Sequence, residues 1–154
     1  MLYSRRSFLN AFFIAALGAP TAGCMTQRGW FNPTTSVDAA NLSPAPASIV
    51  AGDMIAKLSE HVGMGTGTIF LETDNSEFGL AIESSLRGWG YAVAEADQKP
   101  TEDTVIPLAY TVGSDAGQIF VRITTPTVEL ARTYQATAEG AAPTSPVSVL
   151  TRTA

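Results

Sequence analysis

One cysteine, Cys24, and one histidine, His61, are all that the 154 residues contain of either type. A lone thiol rules out an internal disulfide, and a Cys/His metal centre needs several such ligands, so stability must come from an ordinary apolar core. Basic residues are scarce too, nine Lys and Arg against fourteen Asp and Glu, for a formal charge of −5. Beyond residue 24 the cations are Arg28, Lys57, Arg87, Lys99, Arg122, Arg132 and Arg152, scattered singly. Proteins that grip phosphates cluster their Lys and Arg, so this pattern argues against direct nucleic-acid binding and against a basic footprint for anionic lipid head groups. Long apolar runs are missing as well. Phe8 to Ala19, about a dozen residues interrupted by Asn10, falls short of the roughly 20 that a membrane-spanning helix needs.

Catalytic constellations are equally thin. No nucleophile sits in a Gly-x-Ser-x-Gly context. His61 stands beside Glu60 on a predicted helix, where a solitary histidine is ordinarily solvated or capping. Glu72 and Asp74 fall in a strand-to-helix loop, which collects carboxylates for capping and dipole reasons alone. Glu77 and Glu83, six apart, do not share a helix face. Gly63-Met64-Gly65-Thr66-Gly67 follows a helix and precedes a strand, the reverse of a phosphate loop, so it reads as a helix stop and linker. The expectation is no catalytic residue, no metal ligand and no enzyme.

What the chain does have is a distinctive start. Arg5 and Arg6, followed by Phe8 and Leu9, open an apolar run that ends in Thr21-Ala22-Gly23-Cys24. Paired arginines, a short apolar stretch and small residues ahead of a cysteine form the layout of an export signal ending at a lipid attachment site. Ser4-Arg5-Arg6-Ser7-Phe8-Leu9 resembles the twin-arginine export motif, with general secretion as the alternative. Thr21-Ala22-Gly23-Cys24 resembles a lipobox, with Thr21 where leucine is usual. The small side chains of Ala22 and Gly23 suit signal peptidase II, and the Cys24 thiol would carry diacylglycerol, so no cofactor is expected beyond this covalent acyl modification. Residues 1–23 are expected to be a signal peptide, 24–47 a lipidated N-terminus and tether, and 48–154 a small periplasmic domain. The tether is rich in proline, serine and small residues. Trp30 and Phe31 are its exception, suited either to the bilayer interface or to a groove on a neighbouring protein. Met25 is not the aspartate of the usual inner-membrane retention signal of enteric lipoproteins, so the resemblance implies the outer membrane rather than the inner one.

The domain shows two helical patterns. From Ser48 to Val62, Ile49, Val50, Met54, Ile55, Leu58 and Val62 recur at three- and four-residue steps, and Gly63 stops that helix. Phe78, Ala81, Ile82, Ser85, Leu86 and Trp89 mark a second helix over Glu77–Trp89, with N-cap candidates in residues 73–76. Strands are expected at 68–72, 91–94, 105–112, 118–124, 128–135 and 146–151, with a turn at 113–117 and a loop at 136–145. Pro107 belongs at an edge or bulge because it cannot donate to a ladder. The facing of residues 128–135 stays open. Two helices and five or six strands predict an α+β domain, its helices packed on one face of a small, mostly antiparallel sheet.

Ser76-Glu77-Phe78-Gly79-Leu80-Ala81, then Leu86-Arg87-Gly88-Trp89-Gly90-Tyr91-Ala92-Val93, behind a short strand in a lipobox protein, resembles the TrbH family of conjugal transfer proteins. The likeness covers roughly residues 51–124. It implies a structural lipoprotein of a mating-pair-formation apparatus, a type IV secretion system. Its partners would be other secretion-channel subunits and the membrane through the lipid, and a homo-oligomeric ring is one arrangement open to it. A lipoprotein acting in lipid transport or outer-membrane assembly is the alternative.

Overall fold

The computed structural model describes residues 35–65, 67–95 and 105–152. Ten elements run in the order β1 (Val37–Asp38), α1 (Pro44–Val62), β2 (Thr68–Leu71), α2 (Glu77–Gly88), β3 (Ala92–Glu95), β4 (Val105–Asp115), β5 (Gln118–Thr124), β6 (Val128–Thr137), β7 (Gly140–Pro143) and β8 (Ser148–Thr151). The strands form one eight-stranded sheet in the order β3-β2-β4-β5-β6-β7, with β1 added to β4 and β8 to β6. Both helices lie on the same face, so the α+β expectation holds.

Local chemistry explains most boundaries. Ser76 caps α2, its Oγ accepting from the Gly79 N–H at 3.1 Å. Gly63, at φ 90°, ends α1. The first part of the sheet is a parallel crossover, β2 pairing with both β3 and β4, and the second part is an antiparallel meander from β4 to β7. Pro107 sits in the first four residues of β4, which pair with β2 while β5 begins its pairing only at Ala109. A missing N–H is harmless on that open side, as expected.

Several expectations are corrected. Residues 35–47 are not tether: β1 pairs with Thr111 and Val112 of β4, and α1 starts at Pro44 rather than Ser48. Pro44 and Pro46 fit the first turn, where N–H groups have no helical partner anyway, and Leu42 and Ala47 are buried. The turn between β4 and β5 is only Ala116-Gly117, both at positive φ, because Gly113, Ser114 and Asp115 stay paired. A two-residue turn of that kind matches the twist of its strands. The expected loop at 136–145 contains β7, and with β1 this raises the count to eight strands. Gly140 lies so close to Ile49 and the first turn of α1 that a side chain there would collide. Ile49 and Trp89, expected on inner faces, are 42% and 38% exposed.

The core lies between helices and sheet. The largest fully buried side chains include Met54, Ile55 and Leu58 of α1, Phe78, Ile82 and Leu86 of α2, and Tyr110, Ile123 and Tyr134 of the sheet. At ~1.5–3 kcal/mol for each buried side chain, this core supplies the stability that no disulfide provides. Phe78 meets Tyr110 edge-on, ring centroids 5.2 Å apart. The facing of β6 is decided too: Val128, Leu130, Arg132 and Tyr134 form one row, directed at the helices.

Candidate functional site

Cys24, the signal residues Arg5, Arg6, Phe8, Leu9, Ala22 and Gly23, and the pair Trp30 and Phe31 lie outside the described residues. Within them, two polar clusters stand out beside the pairing of Glu129 with Arg122 and Arg152, and a third feature is a bare face of the sheet.

The first polar cluster is tied by Asp74, in the loop between β2 and α2. Its Oδ1 accepts from the Ser76 hydroxyl at 2.5 Å, the Ser76 N–H at 3.1 Å and the Tyr110 hydroxyl at 2.5 Å, while Oδ2 accepts from the Asp38 N–H at 2.5 Å. One carboxylate thus joins β1, β4 and the start of α2. Burial raises its pKa, but the bonds from Ser76, Tyr110 and the Asp38 backbone outweigh this and hold it below the usual 3.8. Burial, reinforced by the neighbouring Asp74, raises the Tyr110 hydroxyl. This is capping chemistry. A depressed carboxylate contributes stability that is complete above its unfolded-state pKa and is lost as pH falls through the lower folded value. Asp74→Asn should therefore cost about 1 kcal/mol at pH 7, and urea melts at pH 3 should show the gap from the parent chain narrowing.

The second cluster was not legible as a site. Arg132 of β6 places Nη1 at 3.0 and 2.7 Å from the Asp53 carboxylate of α1, and Tyr134 donates its hydroxyl to the same carboxylate at 2.5 Å. Arg132 Nε donates to the Ser145 carbonyl at 2.9 Å. Burial, then the Asp53 carboxylate, pushes the Tyr134 hydroxyl strongly up. The clamp holds α1 to the sheet and to the chain between β7 and β8. An arginine in the apolar row Val128-Leu130-Arg132-Tyr134 was the available signal, since a charge of that parity requires a partner.

The other sequence candidates are dispersed. His61 is exposed in the last turn of α1, Glu60 pairs with Lys57 at 2.8 Å, Glu83 with Arg87 at 2.6 Å, and Glu72 is exposed. Gly63 and Gly65 lie in the turn after α1, with the Tyr91 hydroxyl donating to the Gly63 carbonyl and Gly65 packed on Gly90, so no phosphate loop forms there. Among the described residues no group of three or more His, Cys, Asp or Glu could hold a metal, and no helix is long and apolar enough to cross a membrane.

The third feature is the sheet face opposite the helices. Register places Thr111 and Gly113 of β4, Phe120 and Arg122 of β5, and Ala131 and Thr133 of β6 side by side there. They line an open groove of about 590 Å³, walled by Pro146 and Ser148. Val37, Phe120 and Leu150 stand on this face 44%, 45% and 52% exposed. Gly113 and Ala131 supply its floor because they have little or no side chain.

A family model described as conjugal transfer protein TrbH matches residues 27–153. The chain belongs to the TrbH family of conjugal transfer proteins. A probable conjugal transfer protein TrbH of Sinorhizobium fredii (strain NBRC 101917 / NGR234) is 36% identical over 151 residues, 96% of this chain and 99% of the relative. No solved structure matches. TrbH likeness thus extends well past residues 51–124, taking in the segment with Trp30 and Phe31 and every strand up to β8. Membership gives the protein a role in conjugal transfer. The Ser76-to-Ala81 stretch that suggested TrbH is the capped start of α2, with Gly79 set against Tyr110 and Thr73.

Proposed function

We propose that this chain is a structural lipoprotein of a conjugative type IV secretion apparatus, anchoring or bracing the channel at the periplasmic face of the outer membrane. The single observation that carries the reading is the position of the TrbH match, residues 27–153, directly after a lipobox-like Thr21-Ala22-Gly23-Cys24. The domain acts as a binding module with no reaction of its own: its two best-connected carboxylates, Asp74 and Asp53, are spent on internal bonds. Acyl chains at Cys24 contribute about 0.8 kcal/mol per buried methylene, so two or three chains hold the domain at the bilayer. Confinement there raises its effective concentration toward channel subunits, which lets weak contacts suffice. The acidic chain stands beside the transferred DNA without holding it.

Cys24→Ala should leave a folded but unanchored protein and lower conjugation frequency by about a hundredfold, the scale of a lost effective concentration. Mating assays checked by membrane fractionation measure this, and normal transfer by an unanchored variant would remove the bracing role. A lipid-carrying role, by contrast, requires an enclosed apolar cavity, and the groove on the sheet is open to solvent.

A further inference from the structure

We infer that β8 is the contact through which two copies of this chain pair, strand against antiparallel strand, across a two-fold axis at Leu150. β8 lies along β6 in line with β7, and among the described residues no strand pairs with its outer edge. In an antiparallel ladder alternate residues turn their backbone groups to one neighbour, and the rest turn theirs away. The Arg152 N–H donates to the Thr127 carbonyl at the start of β6 at 2.7 Å, so Leu150 and Ser148 face β6 while Val149 and Thr151 present N–H and C=O groups outward. The other edge strands are blunted: β1 is two residues long, β3 ends in Glu95, and β7 ends in Pro143 with Gly140 pressed on the first turn of α1. Ser148-Val149-Leu150-Thr151 has no charge, proline or glycine, and all four residues are exposed. An unguarded edge of this kind is a template for a further strand.

Self-complementarity selects a second copy as the strand that fits. With the axis at Leu150, Val149 of each copy meets Thr151 of the other, forming about four backbone hydrogen bonds. The two Leu150 side chains then stand directly opposite as a non-hydrogen-bonded pair, Cα atoms about 4.5 Å apart. Leu150, 52% exposed, and Val149, 38% exposed, both lose water in this arrangement. Arg152 falls opposite Ser148 of the second copy, so no like charges oppose, and Glu129 of its own copy already holds it at 2.8 Å. An uncharged seam matters in a chain of net charge −5, whose copies repel at a distance. Because the axis stands perpendicular to the sheet, all the helices stay on one side and the two grooved faces join on the other. A four-residue edge falls short of the roughly 1,200–2,000 Å² that stable interfaces bury, so pairing draws on the crowding that a membrane anchor gives. Only this occupancy rests on the anchor proposed above.

Disulfide trapping in the full-length chain, oxidised in isolated membranes, tests the pairing. Leu150→Cys should give a dimer of this chain linked through position 150 of both copies, in about tenfold higher yield than Leu80→Cys gives through position 80, since only residues at the axis are held within disulfide reach. Leu80 is the control because it is exposed to a similar degree, on α2. Mapping the linked peptides by mass spectrometry keeps Cys24 out of the count. Equal yields would overturn the inference, as would a Leu150→Cys chain that links chiefly to a different protein, which would give the edge to another channel subunit. A second measurement covers the chance that the cysteine variant misfolds. Formaldehyde should capture a homodimer of the parent chain in the same membranes, and Val149→Pro should reduce it several-fold, because proline removes an outward N–H and leaves the bonds to β6 in place. A homodimer indifferent to Val149→Pro, or none at all, would overturn the pairing. Neither readout involves DNA transfer, so the pairing can fail while the conjugative role stands, and the reverse.

Discussion

Asp53→Ala is expected to lower the unfolding free energy by about 3 kcal/mol. Asp53 is the shared acceptor for Arg132 and Tyr134, at 2.7 and 2.5 Å to one oxygen, and the Arg132 side chain is only 17% exposed. Removing the carboxylate leaves a guanidinium in a poorly solvated place with the Ser145 carbonyl as its remaining partner, and strips the buried Tyr134 hydroxyl of its acceptor. The cost is thus mainly that of orphaned groups rather than of a lost attraction. Arg132→Met should cost less, because a methionine stem keeps the packing and the abandoned carboxylate, 30% exposed, can reach water. Urea unfolding followed by circular dichroism decides it. Equal, small losses in both variants would mean that the clamp is a solvated surface pair, worth at most about 1 kcal/mol.

The second large effect reverses an ordinary rule. Glycine inside a helix normally gains about 1 kcal/mol on replacement by alanine, and Gly52→Ala in α1, where an added Cβ meets nothing within 4 Å, should show that gain. Gly79→Ala should instead destabilise by about 2 kcal/mol. Its Cβ would fall on the Thr73 and Tyr110 hydroxyls and crowd the Asp74 carboxylate, the groups that fasten α2 to the sheet. Either the helix start moves outward, unseating Phe78 from Tyr110, or Tyr110 swings and abandons Asp74. Thermal melts of the two variants should shift in opposite directions. A Gly79→Ala chain that melts higher would show that the loop yields freely and that Asp74 is not a fastening point.

These two positions also mark how far the residues could be read in advance. The stop at Gly63, a cap somewhere in residues 73–76 and most of the rows on α1 and α2 were legible because each depends on neighbours within one or two turns. The element types of β2 to β6 were legible for the same reason, their apolar alternation being local. Partners from far along the chain were not. Gly79 looked like an ordinary helix glycine until Tyr110 was placed above it, and Arg132 was one of two possible facings until Asp53 stood opposite. β1 and β7 were hidden because Val37-Asp38 and Gly140-Ala-Ala-Pro143 carry almost no strand signal. They are strands because β4 and β6 present unpaired edges to them.

The amino-acid order alone therefore determined the lipobox-like cysteine, the exclusion of an internal disulfide by a single thiol, the two amphipathic helices and the likeness to TrbH, since each rests on composition or on short-range patterns. Tertiary structure alone decided which side of β6 faces the helices, which carboxylates are spent on internal bonds, and that one face of the sheet is left with a groove. Those outcomes depend on pairings between residues tens of positions apart, and such a pairing has no energy until the chain has closed around it.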